Sequence, residues 1–193
     1  MKVAALLLAA GSASRFGSDK LLHPLPHGVP IAVQSARHLR AVFGESVLAV
    51  VRPEAKALAD LFREEGCEVV VCARAADGMG TSLACGVRAA GPAGAYLVAL
   101  ADMPFIRSSS IAAVRDELLK GAPLVAPYFR ARRGHPVGIS SRFHDELAVL
   151  QGDEGAKKLL AEHAGEIVKI PVGDPAVLRD IDTPGDLAPP LVV

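Results

Sequence analysis

The chain has 193 residues, with 21 lysines and arginines against 21 aspartates and glutamates, so its formal net charge is zero. That balance argues against a protein that holds nucleic acid or an anionic membrane through a general electrostatic field, and leaves only local basic contacts. Three cysteines, Cys67, Cys72 and Cys85, lack CxxC spacing and are too sparse for a disulfide framework, so neither a stapled scaffold nor a zinc site is indicated.

The length suits one domain with a respectable core, and with only 4% aromatic residues that core must be built from Ala, Val and Leu. Residues 3–10, VAALLLAA, form an uncharged run bounded by glycine, the pattern of a strand buried on both faces of a parallel sheet. The run is too short to span a membrane, and no basic segment precedes it, so the expectation is a soluble, cytoplasmic protein. Gly11, Ser12, Ser14, Gly17 and Ser18 follow, with Arg15 and Lys20 among them. Glycines allow close backbone approach, successive amides form an anion nest, and two cations add charge-assisted contacts, so a polyphosphate is the first ligand to consider.

Residues 21–30 read as an irregular loop over the sheet edge. Pro30 then opens a helix containing Ile31, Val33, Leu39, Val42 and Phe43, which Gly44 ends. Residues 46–51 are a second buried strand. Pro53 opens a second helix, in which Leu58, Leu61 and Phe62 share a face, and residues 68–71 make a short third strand. This strand and helix alternation predicts an α/β fold with a mostly parallel sheet, whose ligands gather beyond the carboxyl ends of the strands. Asp77, Gly78, Met79 and Gly80 form a second loop at that end, and Thr81 and Ser82 lead into a helix whose free amides could face a ligand.

Residues 95–100 are a fourth strand, and Ala101-Asp102-Met103-Pro104 follows at once. A helix cap belongs immediately before its helix, and Asp102 is about half a dozen residues too early, which favours a ligand or metal role. After a fifth strand at 124–128, Arg130, Arg132, Arg133 and His135 cluster around Gly134 as a hairpin tip or a site for a second anionic substrate, with His135 its most reachable group. Two helices follow, through Leu147 and through Leu159, and Asp153 is sufficiently explained as an N-cap. Thr183, Pro184 and Asp186 form a capping arrangement, which leaves Asp182 over and free to point elsewhere.

Spacing removes two familiar phosphate motifs. Gly17 and Lys20 are too far apart for a Walker loop, and Gly11 does not open a GxGxxG fingerprint. What remains, LAAGxSxRxGxxK over residues 8–20, resembles the nucleotidyltransferase signature of the molybdenum cofactor cytidylyltransferase family, the MobA/MocA-like NTP transferases. GMGTSL from Gly78, LADMP from Leu100, RGHPV from Arg133, GDEGAKKLL from Gly152 and DIDTP from Asp180 resemble further family blocks in the same order. Phe16 departs from the methionine common there.

The resemblance implies a single nucleotidyltransferase domain over residues 1–193, a Rossmann-like three-layer sandwich of the nucleotide-diphospho-sugar transferase type with helices on both faces. It implies transfer of CMP from CTP to the terminal phosphate of molybdopterin, with Ala10 marking CTP rather than GTP use. By the same resemblance Leu8, Ala9, Ala10, Gly11, Ser12, Gly78, Gly80 and Ser82 bind the nucleotide. Arg15 and Lys20 stabilise pyrophosphate, Asp102 and Asp182 hold Mg2+ or Mn2+, and His135 lies on the acceptor side. Molybdopterin and a client molybdoenzyme are the implied partners. The rivals are a guanylyltransferase or sugar-phosphate nucleotidyltransferase on the same sheet, a non-catalytic cofactor chaperone and a dinucleotide oxidoreductase.

Overall fold

The computed structural model describes residues 2–11 and 19–188. Strand β1 (Val3–Leu8) is buried along its whole length, and the pleat divides it between two cores. Val3, Ala5 and Leu7 enter one core, and Ala4, Leu6 and Leu8 enter the other. Strands β2 (Val47–Val51) and β4 (Ala95–Leu100) are split the same way. On the first face lie α1 (Ile31–Phe43), α2 (Lys56–Glu64) and α4 (Ser108–Leu119), which contribute Ile31, Leu39, Leu58, Phe62, Ile111 and Val114. Opposite lie α3 (Met79–Ala90), α5 (His144–Ala148) and α6 (Lys157–Glu162), with Leu83, Val87, Leu147 and Leu159. This is the three-layer sandwich the sequence predicts.

The sheet has eight strands, with β3 (Glu68–Val71), β2, β1, β4, β7 (Val137–Ser140), β5 (Leu124–Phe129) and β6 (Arg132–Arg133) in that order. Strand β8 (Ile167–Pro171) pairs parallel to β5. The β1–β2, β1–β4 and β2–β3 pairs are parallel, while β7 runs antiparallel to both β4 and β5. From β1 the chain winds outward to β2 and β3, then α3 carries it back to β4 on the other side of β1. The reversal leaves a crevice beyond the carboxyl ends of β1 and β4, where doubly wound sheets collect ligands.

Several local expectations are corrected. Residues 21–30 stand at the end of the interior strand β1 rather than over a sheet edge. A bridge between Pro24 and Pro30 and a left-handed turn at Gly28 (φ +87°) close them. Helix α2 begins at Lys56 and not at Pro53, with Ala55 at its N-cap, and α3 begins at Met79, so that Gly80 is helical. Asp153 is not an N-cap, because Ala156 occupies that position for α6. The reading of residues 130–133 as a hairpin tip holds: Arg130 and Ala131 turn at positive φ between β5 and β6. Among the described residues no helix is long and apolar enough to cross a membrane.

Candidate functional site

Backbone hydrogen bonds assemble three distant segments at the β1–β4 crevice. Ala101 N–H donates to Leu8 O at 3.0 Å, which ties the turn after β4 to the end of β1 and fixes Asp102 there. Ile181 N–H donates to Asp102 O at 2.9 Å, which brings Asp182 alongside. The buried hydroxyl of Ser35, on α1, donates to Ala101 O at 2.9 Å and locks the same turn from below. A single 3-10 turn, Lys20–Leu22, then delivers Lys20.

Lys20 is 9% exposed, and its Nζ lies 2.9 Å from Asp102 Oδ2 and 3.6 Å from Asp182 Oδ1. Three residues spanning most of the sequence thus form one cluster, an ammonium between two carboxylates. The Thr183 N–H and hydroxyl both donate to Asp186 Oδ2, at 2.9 and 2.8 Å, so the expected capping arrangement is present and Asp182 is left to face Lys20.

The cluster opens into a cavity of about 520 Å³. Leu8, Ala9, Ala10 and Gly11 line it from β1, and Gly78, Met79 and Ser82 line it from the start of α3. Ser12 and Arg15 lie outside the described residues. Gly80 is not a lining residue: its N–H donates to Gly152 O at 2.7 Å, and an added Cβ would meet Gln151 O at 2.8 Å. Its smallness serves the contact between α3 and residues 151–153.

His135 is also corrected. It is half-buried, its Nδ1 is wholly enclosed without a hydrogen-bond partner, and it does not line the cavity. Burial, reinforced by the positive charge of Arg133, pushes its pKa down to about 4, so the ring is neutral at physiological pH. The exposed group its loop position suggested is instead folded inward, because its N–H donates to Val177 O at 2.8 Å.

Two charged lining residues, Arg52 and Glu54, went unread in the sequence, and a third, Asp153, was read there only as an N-cap. Arg52 directly follows β2, the position after a buried strand that singled out Asp102. It lies 3.8 Å from Asp19 and 3.6 Å from Glu54. Asp153 reaches the cavity because residues 151–153 pack on Gly78, where no Cβ could fit.

Among the described lining residues, four carboxylates (Glu54, Asp102, Asp153, Asp182) face two cations (Lys20, Arg52). With acids outnumbering cations among those residues, a polyphosphate accompanied by cations suits this cavity better than a bare one. No three His, Cys, Asp or Glu side chains converge as a metal cage among the described residues. Yet Asp102 and Asp182 fit Mg2+ or Mn2+, hard ions commonly held by one or two carboxylates while substrate phosphates and waters complete the shell. A second cavity, of about 540 Å³, is walled by Pro26, Pro104, Phe105 and Pro175 and contains none of this cluster.

Comparison with known proteins agrees with this geometry. Nicotine blue oxidoreductase of Paenarthrobacter nicotinovorans is 30% identical over 190 residues, covering 94% of this chain and 92% of that protein. The purine catabolism protein PucB of Bacillus subtilis (strain 168) is 31% identical over 192 residues, covering 93% and 91%. The crystal structure of Rv0371c from Mycobacterium tuberculosis H37Rv superposes with a TM-score of 0.81 at 24% identity, over 96% of this chain and 94% of that one. The same protein is also known as a manganese complex. The model of the MobA-like NTP transferase domain matches residues 5–167, a span that takes in the β1 loop, the α3 start and Asp102. With a carboxylate pair and an ammonium meeting at the switch point of the sheet, the chain belongs to the MobA-like NTP transferase family and is a nucleotidyltransferase.

Proposed function

We propose that the protein transfers CMP from CTP to the terminal phosphate of molybdopterin and releases pyrophosphate. The observation that carries this reading is the Lys20, Asp102 and Asp182 cluster, set in a cavity whose excess of carboxylates suits a metal-accompanied triphosphate and not a bare anion. The alanine at position 10, within LAAG, supports CTP as the donor by family resemblance.

In the reaction, an oxygen of the acceptor phosphate forms a bond to the α-phosphorus. The bond from that phosphorus to the β-bridging oxygen breaks, and pyrophosphate leaves with the electron pair. The acceptor oxygen is already anionic, so no general base is needed, and the protein's contribution is positioning and charge neutralisation. A divalent ion on Asp102 and Asp182 would neutralise charge on the transferring phosphoryl group, and the manganese complex of the Rv0371c structure supports such an ion here. Lys20 faces the leaving group, and its 3-10 turn gives the ammonium a fixed origin. Ala9 and Ala10, 3% and 8% exposed, present backbone and methyl groups to the nucleotide without filling the cavity. At the start of α3, Gly78, Met79 and Ser82 form the facing wall, with the Ser82 hydroxyl oxygen as a polar group there.

The test is incubation with each NTP in turn, Mg2+ and molybdopterin, followed by pyrophosphate release. Release with CTP alone is expected. Release with GTP would move the protein to the guanylyl branch, and none with any NTP would favour a cofactor chaperone. Reduction of a substrate by a nicotinamide cofactor without pyrophosphate would align it with the oxidoreductase named among its relatives. Asp102→Ala is expected to abolish release while leaving the circular dichroism spectrum unchanged, and near-normal release by that variant would sink the metal assignment.

A further inference from the structure

Lys20 cannot serve the pyrophosphate and the carboxylates at once. Its ammonium hydrogen-bonds Asp102 at 2.9 Å and lies 3.6 Å from Asp182, in the place a divalent ion shared by those carboxylates would need. The backbone that carries each carboxylate is anchored from elsewhere. Asp102 is fixed by the Leu8 and Ile181 backbone contacts, and Asp182 N–H donates to Asp186 Oδ2 at 3.3 Å. The neighbouring cations are engaged by other acids, Arg52 by Asp19 and Glu54, and Arg179 by Asp186. Among the described residues, Lys20 is therefore the cation that pairs with this carboxylate couple.

We propose that, in the nucleotide-free protein, Lys20 is a built-in counter-ion that occupies the metal position, and that a divalent ion displaces it far more readily when nucleotide arrives with it. Two cations sharing the oxygens of Asp102 and Asp182 repel each other strongly in a site where Lys20 is 9% exposed. A triphosphate supplies the ammonium with a new partner, so the cost of moving it falls only when nucleotide is present. Lys20 thus couples metal and nucleotide binding, each raising the affinity of the other by the same factor. It also keeps two adjacent carboxylates from standing unneutralised in the empty site.

This inference rests on the metal reading above, and binding experiments without turnover separate the two. Mn2+ is titrated by electron paramagnetic resonance against the wild type, Lys20→Met, Lys20→Arg and Asp102→Asn, in the absence of nucleotide. Lys20→Met is expected to bind Mn2+ about ten-fold more tightly than the wild type, while Lys20→Arg, which keeps the charge and can span both carboxylates, binds no more tightly. Equal or weaker binding by Lys20→Met overturns the proposal, as does equal tightening by both lysine variants. Mn2+ affinity unchanged in Asp102→Asn would remove the metal reading and the proposal with it, whatever the pyrophosphate assay shows. Acylation of Lys20 in the wild type, followed by mass spectrometry, needs no variant. Saturating Mn2+ should raise its labelling rate several-fold, and an unchanged rate overturns the displacement.

Discussion

The contact most open to a quantitative test is the one between Gly78 and residues 151–153. Gly78 has φ +115° and ψ 176°, a region that essentially only glycine occupies, and holding an alanine there costs about 1–3 kcal/mol. An added Cβ would also stand 2.4 Å from both C and O of Gly152 and 2.5 Å from Asp153 Oδ1. Those are largely backbone atoms with little freedom to retreat, and relieving such an overlap costs about another 1–3 kcal/mol. Gly78→Ala should therefore lose about 2–6 kcal/mol, which for a chain of this size lowers the melting temperature by roughly 10 °C. Gly28→Ala isolates the conformational part, since Gly28 has φ +87° but nothing within 4 Å of an added Cβ. Thermal unfolding followed by circular dichroism compares the two. If Gly78→Ala melts within about 2 °C of the wild type, or no lower than Gly28→Ala, the close packing that delivers Asp153 to the cavity is not what the geometry indicates.

Three other outcomes are expected. His135 is neutral in the fold, with its pKa near 4, whereas the unfolded chain binds a proton near 6.5; its contribution is complete above that value and is lost as pH falls from 6.5 towards 4, by up to about 3 kcal/mol. Urea unfolding of the His135→Gln variant should show a shallower loss across that window, and an identical slope would contradict it. Asp174, 3% exposed, accepts from Arg107 N–H, the Ser110 hydroxyl and Ala176 N–H at 2.9, 2.8 and 3.2 Å, so Asp174→Ala should cost about 2–4 kcal/mol in urea unfolding yet spare the Mn2+ affinity. Ala10→Gly should raise GTP use relative to CTP in pyrophosphate release, and an unchanged ratio would detach base choice from this position.

The elements that position the site were legible where one rule decided them. The uncharged run at residues 3–10 could only be a strand covered on both faces, and β1 is that strand. The readings that failed depended on partners far away in sequence. Strand β7, which was not among the elements expected from the sequence, contains Gly138, a residue that weakens a strand interior; in the fold its missing Cβ makes room for Leu118, whose Cδ1 would be 2.8 Å away. Strand β8 alternates buried and exposed over five residues and ends in Pro171, too short a signal to separate from loop. Asp153 resembles a cap because a helix follows it, and only the contact with Gly78, some seventy residues earlier, reveals where it faces. Arg52 carries a usable signal, a charge immediately after the buried run of β2, the same signal that marks Asp102.

A neutral chain can still carry a charged site, and here the sign of the imbalance is informative. A pocket meant to grip a bare anion would be expected to show surplus cations, as phosphate sites built from arginines do. This cavity shows the reverse among its described residues, with Lys20 already engaged by Asp102 and Asp182, and Arg52 by Asp19 and Glu54. On the proposal above, Lys20 is held in reserve by carboxylates that would exchange it for a divalent ion. Such a pocket discriminates by what accompanies the phosphate: a metal-bound triphosphate satisfies both carboxylates and releases the lysine, whereas a phosphate without metal finds the ammonium occupied and the acids repelling it. On the reading proposed above, the excess of acid around Lys20 among the described lining residues would make the metal compulsory.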